Sequence, residues 1–220
     1  MHGLFCEEIT EPLKEMLEFL LNNPAEFVIL DFQHFYDFEV IHHEKLIKLF
    51  MQSFEDLLYR KNAAGANLSE LTLNGAKAIN KQMLVIYRNN QNIPPQFYPS
   101  NEYPTPWPNS TSVSELQKYL DKRLMLRSPE TGFISQCVLT PDVKFIIPRF
   151  YSSLRQTCAK KVNKKMLRWI KEQQPGKFEQ GDKPTSNVFL ADFIDIRDSN
   201  FSKIVIDLNM KIDFKEKCNK

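Results

Sequence analysis

Hydrophobic positions near the start of the chain alternate between helical spacing and a continuous apolar run. From Ile9 to Leu21 they recur every three or four residues, which predicts an amphipathic helix capped by Thr10 and ended by Asn22-Asn23-Pro24. The run from Glu26 to Phe32 lacks alternation, which is typical of a strand buried on both faces. A second amphipathic helix is predicted over about His42 to Tyr59.

The same alternation continues through the second half. Further strands are predicted at Gln82–Tyr87, Phe133–Leu139 and Asn187–Phe193. Further helices are predicted after a capping box of Ser112 and Glu115, over Pro148–Gln173, and from about Phe201 to Ile212. Residues 89–111 show no periodicity and contain six prolines, so we expect a long loop there.

These elements predict an α/β fold. Continuous apolar strands that end in polar residues indicate a parallel sheet covered by helices. We find four clear strands and a stub at His2, too few to close a (β/α) barrel. An open doubly wound sheet is the alternative, but the chain has no Gly-rich phosphate-binding turn to support it.

Composition narrows the classes of function. The 220 residues carry a net charge of +2, with 42% hydrophobic and 25% charged residues, which suits one sizeable core and gives no case for nucleic-acid binding. No apolar run reaches the ~18 residues of a membrane span, and the N-terminus has no secretory pattern. Four cysteines without CxxC spacing argue against a zinc site or a disulfide scaffold. A cytoplasmic protein is the expectation.

Several motifs, in order and spacing, carry a resemblance that spans nearly the whole chain. They are His2-Gly3-Leu4, Val28-Ile29-Leu30-Asp31-Phe32-Gln33-His34-Phe35-Tyr36, Leu84-Val85-Ile86-Tyr87-Arg88, Pro106-Trp107-Pro108-Asn109, and Asn187-Val188-Phe189-Leu190-Ala191-Asp192-Phe193. The chain resembles the metazoan phosphatidylinositol-specific phospholipase C X domain-containing proteins, relatives of the bacterial phosphatidylinositol phospholipases C.

The resemblance implies an imperfect TIM barrel that cleaves the glycerol–phosphate bond of phosphatidylinositol. One histidine of the family deprotonates the inositol 2-hydroxyl, and a second protonates the departing diacylglycerol oxygen. A cation stabilises the charge on phosphorus, which is calcium in the eukaryotic signalling enzymes and arginine in the bacterial ones.

Carried over to this chain, His2 matches the second histidine, the general acid. Asp192 matches the aspartate that orients the first histidine, and Arg88 matches an inositol-binding arginine. Gln33 stands where calcium-dependent members have a glutamate ligand and bacterial members a lysine. Because an amide oxygen is a weaker calcium ligand than a carboxylate, we predict metal-independent chemistry and no cofactor.

The family's opening His-Asp loop and its next strand have no counterpart in these residues, and His34, His42 and His43 do not replace them. We therefore expect a single partial barrel over 1–220, lacking the first strands, and an inactive chain. A non-catalytic remnant that binds phosphoinositide or protein is the alternative. A glycerophosphodiester phosphodiesterase ranks below both, because Glu7-Glu8 does not supply that family's Glu-x-Asp metal site.

Some of these residues have a plainer interpretation. Arg88 can pair with Asp31 instead of substrate. The cluster of Lys160, Lys161, Lys164 and Lys165 is typical of a solvated helix face, although an anionic membrane is a possible secondary partner. Trp107 either contacts lipid headgroups or packs back onto the fold. The expected partners are thus an inositol phospholipid and, peripherally, a membrane surface.

Overall fold

The computed structural model describes residues 8–63 and 68–212, apart from the side chains of 197–199. Within this part of the chain are seven α-helices and four short strands, which confirms the mixed α/β class. The helices are α1 (Thr10–Asn22), α2 (Val40–Phe54), α3 (Leu73–Ala78), α4 (Val113–Met125), α5 (Val143–Ile146), α6 (Lys160–Glu172) and α7 (Ile196–Asp207). The strands are β1 (Val28–Phe32), β2 (Met83–Tyr87), β3 (Ile134–Gln136) and β4 (Val188–Leu190).

The strands form two parallel pairs. Strand β1 pairs with β2 in a register that sets Val28 opposite Met83, and β3 pairs with β4 with Ile134 opposite Val188. The predicted parallel pairing is therefore confirmed for the described residues. These two-stranded sheets do not show a closed barrel, so the barrel stays a prediction.

The chain divides into two compact units, residues 1–102 and 103–220. In the first unit, β2 is buried along its whole length, whereas β1 is only half-buried. Of the two strands in this unit, only β2 is thus buried on both faces as predicted. The core is built by one face each of α1 and α2 together with β2, and contains Leu13, Leu20, Leu46, Phe50, Phe54, Leu58, Met83, Val85, Tyr87 and Phe97.

In the second unit, α4, α6 and α7 pack together around β3. Phe201 and Ile204 lie on the buried face of α7, and Leu208 directly after it is also buried, so helical periodicity prevailed there over the strand preference of the β-branched residues nearby. The core contains Leu116, Leu120, Cys137, Leu139, Cys158, Val162, Met166, Trp169, Ile170, Phe201, Ile204 and Leu208.

The predicted continuous helix over Pro148–Gln173 is wrong. A 3-10 turn at Ile147–Arg149 is followed by a break, and a π-helical turn at Arg155–Ala159 leads into α6. Where the helix restarts, the Ser153 hydroxyl accepts the backbone N–H of Gln156 at 3.3 Å, as the side chain of a helix cap does. Helical spacing of apolar residues did not reveal this interruption.

Two predicted caps are also wrong, although their helices are present. Thr10 is the first residue of α1 rather than its cap, and Ile9 precedes it without a side-chain hydrogen bond to the helix. Ser112 precedes α4, but its side chain caps no backbone N–H. No helix in the described ranges has the length and apolar character needed to cross a bilayer.

Candidate functional site

Polar residues meet at the carboxyl ends of β1 and β2. Asp31 lies in β1, and Arg88 directly follows β2. The backbone N–H of Arg88 donates to the carbonyl of Phe32 at 3.0 Å, which continues the ladder beyond β2. Because parallel strands end at the same edge, the residues that follow β1 and β2 share one side of the sheet, where α/β folds place ligands.

Asp31 brings together two residues that were predicted separately. Arg88 Nε donates to Asp31 Oδ1 at 2.7 Å, and Nη2 donates to Oδ2 at 2.9 Å. Gln33 Nε2 donates to the same Oδ2 at 3.0 Å. The side chains of Arg88 and Asp31 are each 12% exposed, so this bidentate pair is well shielded from water. The plainer interpretation of Arg88, as the partner of Asp31, is therefore observed.

The pair of Asp31 and Arg88 defines what the carboxyl edge of β1 and β2 can bind. Asp31 holds the guanidinium plane in one orientation, and an oriented guanidinium suits oxyanions and vicinal hydroxyls. The arrangement does not fit calcium as it stands. Both Asp31 oxygens accept hydrogen bonds from Arg88, and Gln33 directs its amide nitrogen, not its oxygen, at the same carboxylate.

Tyr87 and Asn89, which flank Arg88 in the sequence, form a second hydrogen-bonded group with His43. His43 of α2 is buried, with Nδ1 2.5 Å from the hydroxyl of Tyr87 and Nε2 3.2 Å from Asn89 Nδ2. The Asn89 amide is oriented by its oxygen, which accepts the backbone N–H groups of Gln91 and Asn92. Its nitrogen therefore donates to Nε2, so the neutral His43 ring carries its proton on Nδ1 and donates it to Tyr87.

Burial sets the protonation of this group. Desolvation, and after it the neighbouring His42, lowers the pKa of His43 from 6.5. Desolvation also raises the pKa of the Tyr87 hydroxyl to about 12. Both side chains are thus neutral at pH 7, and they connect α2 to the two residues that flank Arg88.

Asp192 belongs to the second unit and follows β4 by two residues. The buried side chain of Asn163 in α6 holds this turn, because its Nδ2 donates to the carbonyls of Asp192 and Phe193, both at 3.2 Å. Although Asp192 as a residue is exposed, partial desolvation of its carboxyl group raises its pKa above the ordinary 3.8. Its position at a strand end agrees with the sequence analysis, and its role stays a prediction.

The remaining predicted residues are placed as follows. His2 lies outside the described residues. Trp107 is 50% exposed and donates its indole N–H to Thr140 Oγ1 at 2.7 Å, so its polar edge is held within the second unit, to which Trp107 itself belongs. All members of the lysine cluster on α6 are exposed, opposite its buried face. Among the described residues no three His, Cys, Asp or Glu side chains are grouped to hold a metal ion.

Sequence reasoning missed His43 and Asn163. Both lie at helical spacing with core residues: His43 with Leu46 and Phe50, and Asn163 with Met166 and Ile170. A polar residue on the apolar face of a helix is unfavourable unless it has a hydrogen-bond partner. The helical spacing of His43 and Asn163 with core residues was therefore the signal that each has such a partner. Nothing in the sequence pattern indicates the contact of Asn89 with His43.

Comparison with known proteins decides the family. The chain is 33% identical over 214 residues, 96% of its length, to PI-PLC X domain-containing protein 3 of Homo sapiens. It is 34% identical over 217 residues, 98% of its length, to the protein of the same name in Danio rerio. PI-PLC X domain-containing protein 2 of Mus musculus is 32% identical over 215 residues, 95% of the chain. The chain belongs to the PI-PLC X domain-containing proteins.

The family resemblance seen in the sequence is thereby confirmed. The chain spans 63%, 64% and 58% of the length of these three relatives, respectively. No family model matches it, and no solved structure matches it.

Proposed function

We propose that this chain contributes the inositol-binding side of a phosphatidylinositol-type phospholipase C site, a phosphoric diester hydrolase. The observation that carries the proposal is the Asp31–Arg88 pair at the carboxyl edge of two parallel strands. A shielded, oriented guanidinium is suited to inositol hydroxyls and to a phosphodiester oxygen. Family membership supports the same substrate class.

In the proposed reaction the inositol 2-hydroxyl oxygen attacks phosphorus as its proton passes to the family's first histidine. The bond from phosphorus to the diacylglycerol oxygen then breaks, and His2 supplies the proton that this oxygen takes up. Arg88 binds the inositol ring, and Asp192 orients the imidazole that acts as base. A TIM-barrel-like arrangement of the whole site is part of the proposal.

We further propose that the 220-residue chain by itself does not turn over substrate, because by the family resemblance His2 alone among its histidines matches a catalytic histidine. A chain that binds inositol phospholipid or a protein without cleaving it is the alternative. The proposed setting is cytoplasmic and peripheral at membranes, with phosphatidylinositol as the partner. The buried free thiols of Cys137 and Cys158 agree with a reducing compartment.

Binding by Arg88 is tested by cosedimentation of the chain with phosphatidylcholine vesicles, with and without phosphatidylinositol. We expect Arg88→Ala to lower the binding that depends on phosphatidylinositol by about tenfold, the loss of one charge-assisted contact. Arg60→Ala is the matched control, because Arg60 also pairs with a carboxylate, Glu55, in an exposed part of the same unit. Equal binding by both variants would remove Arg88 from the site.

Turnover is tested separately, by the release of water-soluble inositol phosphate from the same vesicles. The chain is expected to release none. Release that is lost in His2→Ala would contradict the proposed inactivity and establish the hydrolase. Binding through Arg88 without release is the expected result, and it agrees both with the proposed site and with the non-catalytic alternative.

A further inference from the structure

One imidazole holds the two residues that flank Arg88. His43 Nδ1 donates to the hydroxyl of Tyr87 at 2.5 Å, and its Nε2 accepts a hydrogen bond from Asn89 Nδ2 at 3.2 Å. Between these two contacts, the backbone N–H of Arg88 donates to the carbonyl of Phe32 in β1. The chain is thus held immediately before, at and immediately after the arginine.

The imidazole and the Arg88 guanidinium lie on opposite faces of the β1–β2 pair. Side chains alternate between the two faces along a strand, and residues in register share a face. Arg88 reaches Asp31, which is in register with Ile86 of β2. The imidazole reaches Tyr87, the next residue of β2, whose ring lies 5.7 Å from that of Phe32. Any effect of the imidazole on Arg88 therefore passes through the backbone.

Protonation of His43 is incompatible with the Asn89 contact. A neutral ring accepts at Nε2, whereas a charged ring has an N–H on both nitrogens, so its Nε2–H meets the amide donor of Asn89. The amide gains nothing by reversing, because its oxygen already accepts the backbone N–H groups of Gln91 and Asn92. A charged ring therefore releases the turn that follows Arg88.

The surroundings of His43 favour the neutral ring. Of the residues that the structure describes, the titratable side chains that interact with it are Tyr87 of β2 and His42 of α2. The loop between β1 and α2 contributes the apolar rings of Phe35 and Phe38, with centres 4.9 and 5.3 Å from that of the imidazole. Desolvation, and after it His42, lowers the pKa of His43 from 6.5, so the ring gains its proton only at acidic pH.

We propose that His43 is a positioning residue for Arg88, and that the Arg88 site binds inositol phospholipid well only while this imidazole is neutral. The inference rests on the proposed function and adds a regulation by pH to the same site. As the pH falls through the folded pKa of His43, the turn at Asn89 loses its anchor and the backbone at Arg88 its fixed position. Binding is therefore present above that pKa and weakens below it.

The pH profile of the unaltered chain is the first test. Cosedimentation with phosphatidylcholine vesicles, with and without phosphatidylinositol, is measured from about pH 7.5 to 5, where the lipid phosphodiester stays anionic. The binding that depends on phosphatidylinositol is expected to fall about threefold or more, and the residual binding of Arg88→Ala is expected to be independent of pH. A flat profile of binding that Arg88→Ala does lower would overturn this inference alone. Binding that Arg88→Ala does not lower would overturn the proposed function, and this inference with it.

Asn89→Asp reverses the preference of the contact. One carboxylate oxygen still accepts the backbone N–H groups of the turn, and the other accepts Nε2–H of a protonated ring. The fall in binding at low pH is therefore expected to disappear. Asn90→Asp is the matched control, because it adds the same charge at an exposed neighbouring position, and it is expected to keep the fall. Equal profiles of the two variants would overturn the proposal.

Loss of structure at low pH is the competing explanation, so far-UV circular dichroism is recorded on the same samples. A positioning role predicts that binding falls while the signal is retained. A fall in binding that only follows loss of the signal would make His43 a purely structural residue and overturn the proposal. His43→Gln has no group that titrates there and is expected to remove the fall whether or not Asn89→Asp folds. A fall that persists in His43→Gln would assign it to another group and overturn the proposal as well.

Discussion

At the scale of single residues, the ion pair of Asp31 and Arg88 is the feature that most constrains the first unit. A carboxylate within an apolar strand loses much of its hydration, and the bidentate guanidinium replaces it. Gln33 adds a third hydrogen bond to the same group. The pair is therefore both a structural requirement of the strand edge and the proposed ligand-binding element.

Asp31→Asn is expected to lower the free energy of unfolding by about 2–4 kcal/mol, because Arg88 is left shielded without its counter-charge. Urea denaturation at pH 7 measures the change. The matched control is Glu55→Gln in the pair with Arg60, whose side chains are 55% and 36% exposed, where the expected cost is about 0–1 kcal/mol. Equal costs would mean that the Asp31 pair is far more hydrated than its exposure indicates.

The buried imidazole of His43 predicts a dependence of stability on pH. Its pKa is lowered in the folded state, so between that value and 6.5 the unfolded chain binds more protons than the folded chain. The free energy of unfolding therefore decreases as the pH falls below about 6.5 and levels off below the folded pKa.

Urea midpoints measured from about pH 7.5 to 5 test this, the range in which imidazole titrates. His43→Gln is expected to be less stable at neutral pH, since the bonds to Tyr87 and Asn89 are altered, and to depend less on pH. His34→Gln replaces an exposed imidazole and is expected to keep the original slope. A steep slope in His43→Gln would assign the pH dependence to other groups.

At the scale of elements, the start of α4 shows how a correct helix can begin by a mechanism that its sequence does not suggest. Ser112 and Glu115 have the spacing of a capping box, yet the Ser112 side chain caps no helical N–H, and Ser110 binds both residues instead. Its hydroxyl accepts the backbone N–H of Ser112 at 3.0 Å and donates to the Glu115 carboxylate at 2.9 Å. Ser112 instead shares a hydrogen bond with the hydroxyl of Ser114.

Ser110→Ala is therefore expected to cost about 1 kcal/mol of stability, and Ser112→Ala only a few tenths. The two variants are matched in chemistry and lie two residues apart, so their difference in urea midpoint isolates the contribution of the Ser110 hydroxyl. A larger cost for Ser112→Ala would restore the capping box that the sequence predicts.

At the scale of the whole molecule, each unit has its own apolar core, and the chain divides within the Pro-rich loop 89–111. In the first unit, Phe50 is 1% exposed, with its ring centre 4.7 Å from that of Phe54 and 5.4 Å from that of Phe97. Such a cluster joins a helix to the loop that follows β2. Removal of one ring is therefore expected to destabilise the whole of this core.

Phe50→Ala is expected to destabilise the first unit by about 3–5 kcal/mol through lost burial and the cavity left behind. Phe19→Ala is the control, because Phe19 in α1 is 47% exposed and should cost about 0.5 kcal/mol or less. Urea denaturation followed by circular dichroism compares them. Similar costs would contradict the core position of Phe50.

Local patterns were sufficient for much of the fold. Periodicity located α1, α2, α4 and α7, and continuous apolar runs located all four described strands. Periodicity failed between Pro148 and Lys160, where the helix is interrupted and the Ser153 hydroxyl accepts a backbone N–H, and it did not reveal the short helices α3 and α5. For the candidate site, position in the sequence placed Arg88, Gln33 and Asp192 at or beside strand ends, but it did not show which groups they contact.

The sequence by itself determined the family, the α/β class and the residues to examine, because these depend on motifs and on spacing along the chain. Only the tertiary structure decided that Asp31 joins Arg88 to Gln33, that His43 is neutral with its proton on Nδ1, and that Phe150 and Tyr151 face solvent. The physical reason is that hydrogen bonds and burial depend on distances between residues far apart in the chain, which a pattern of neighbouring residues does not contain.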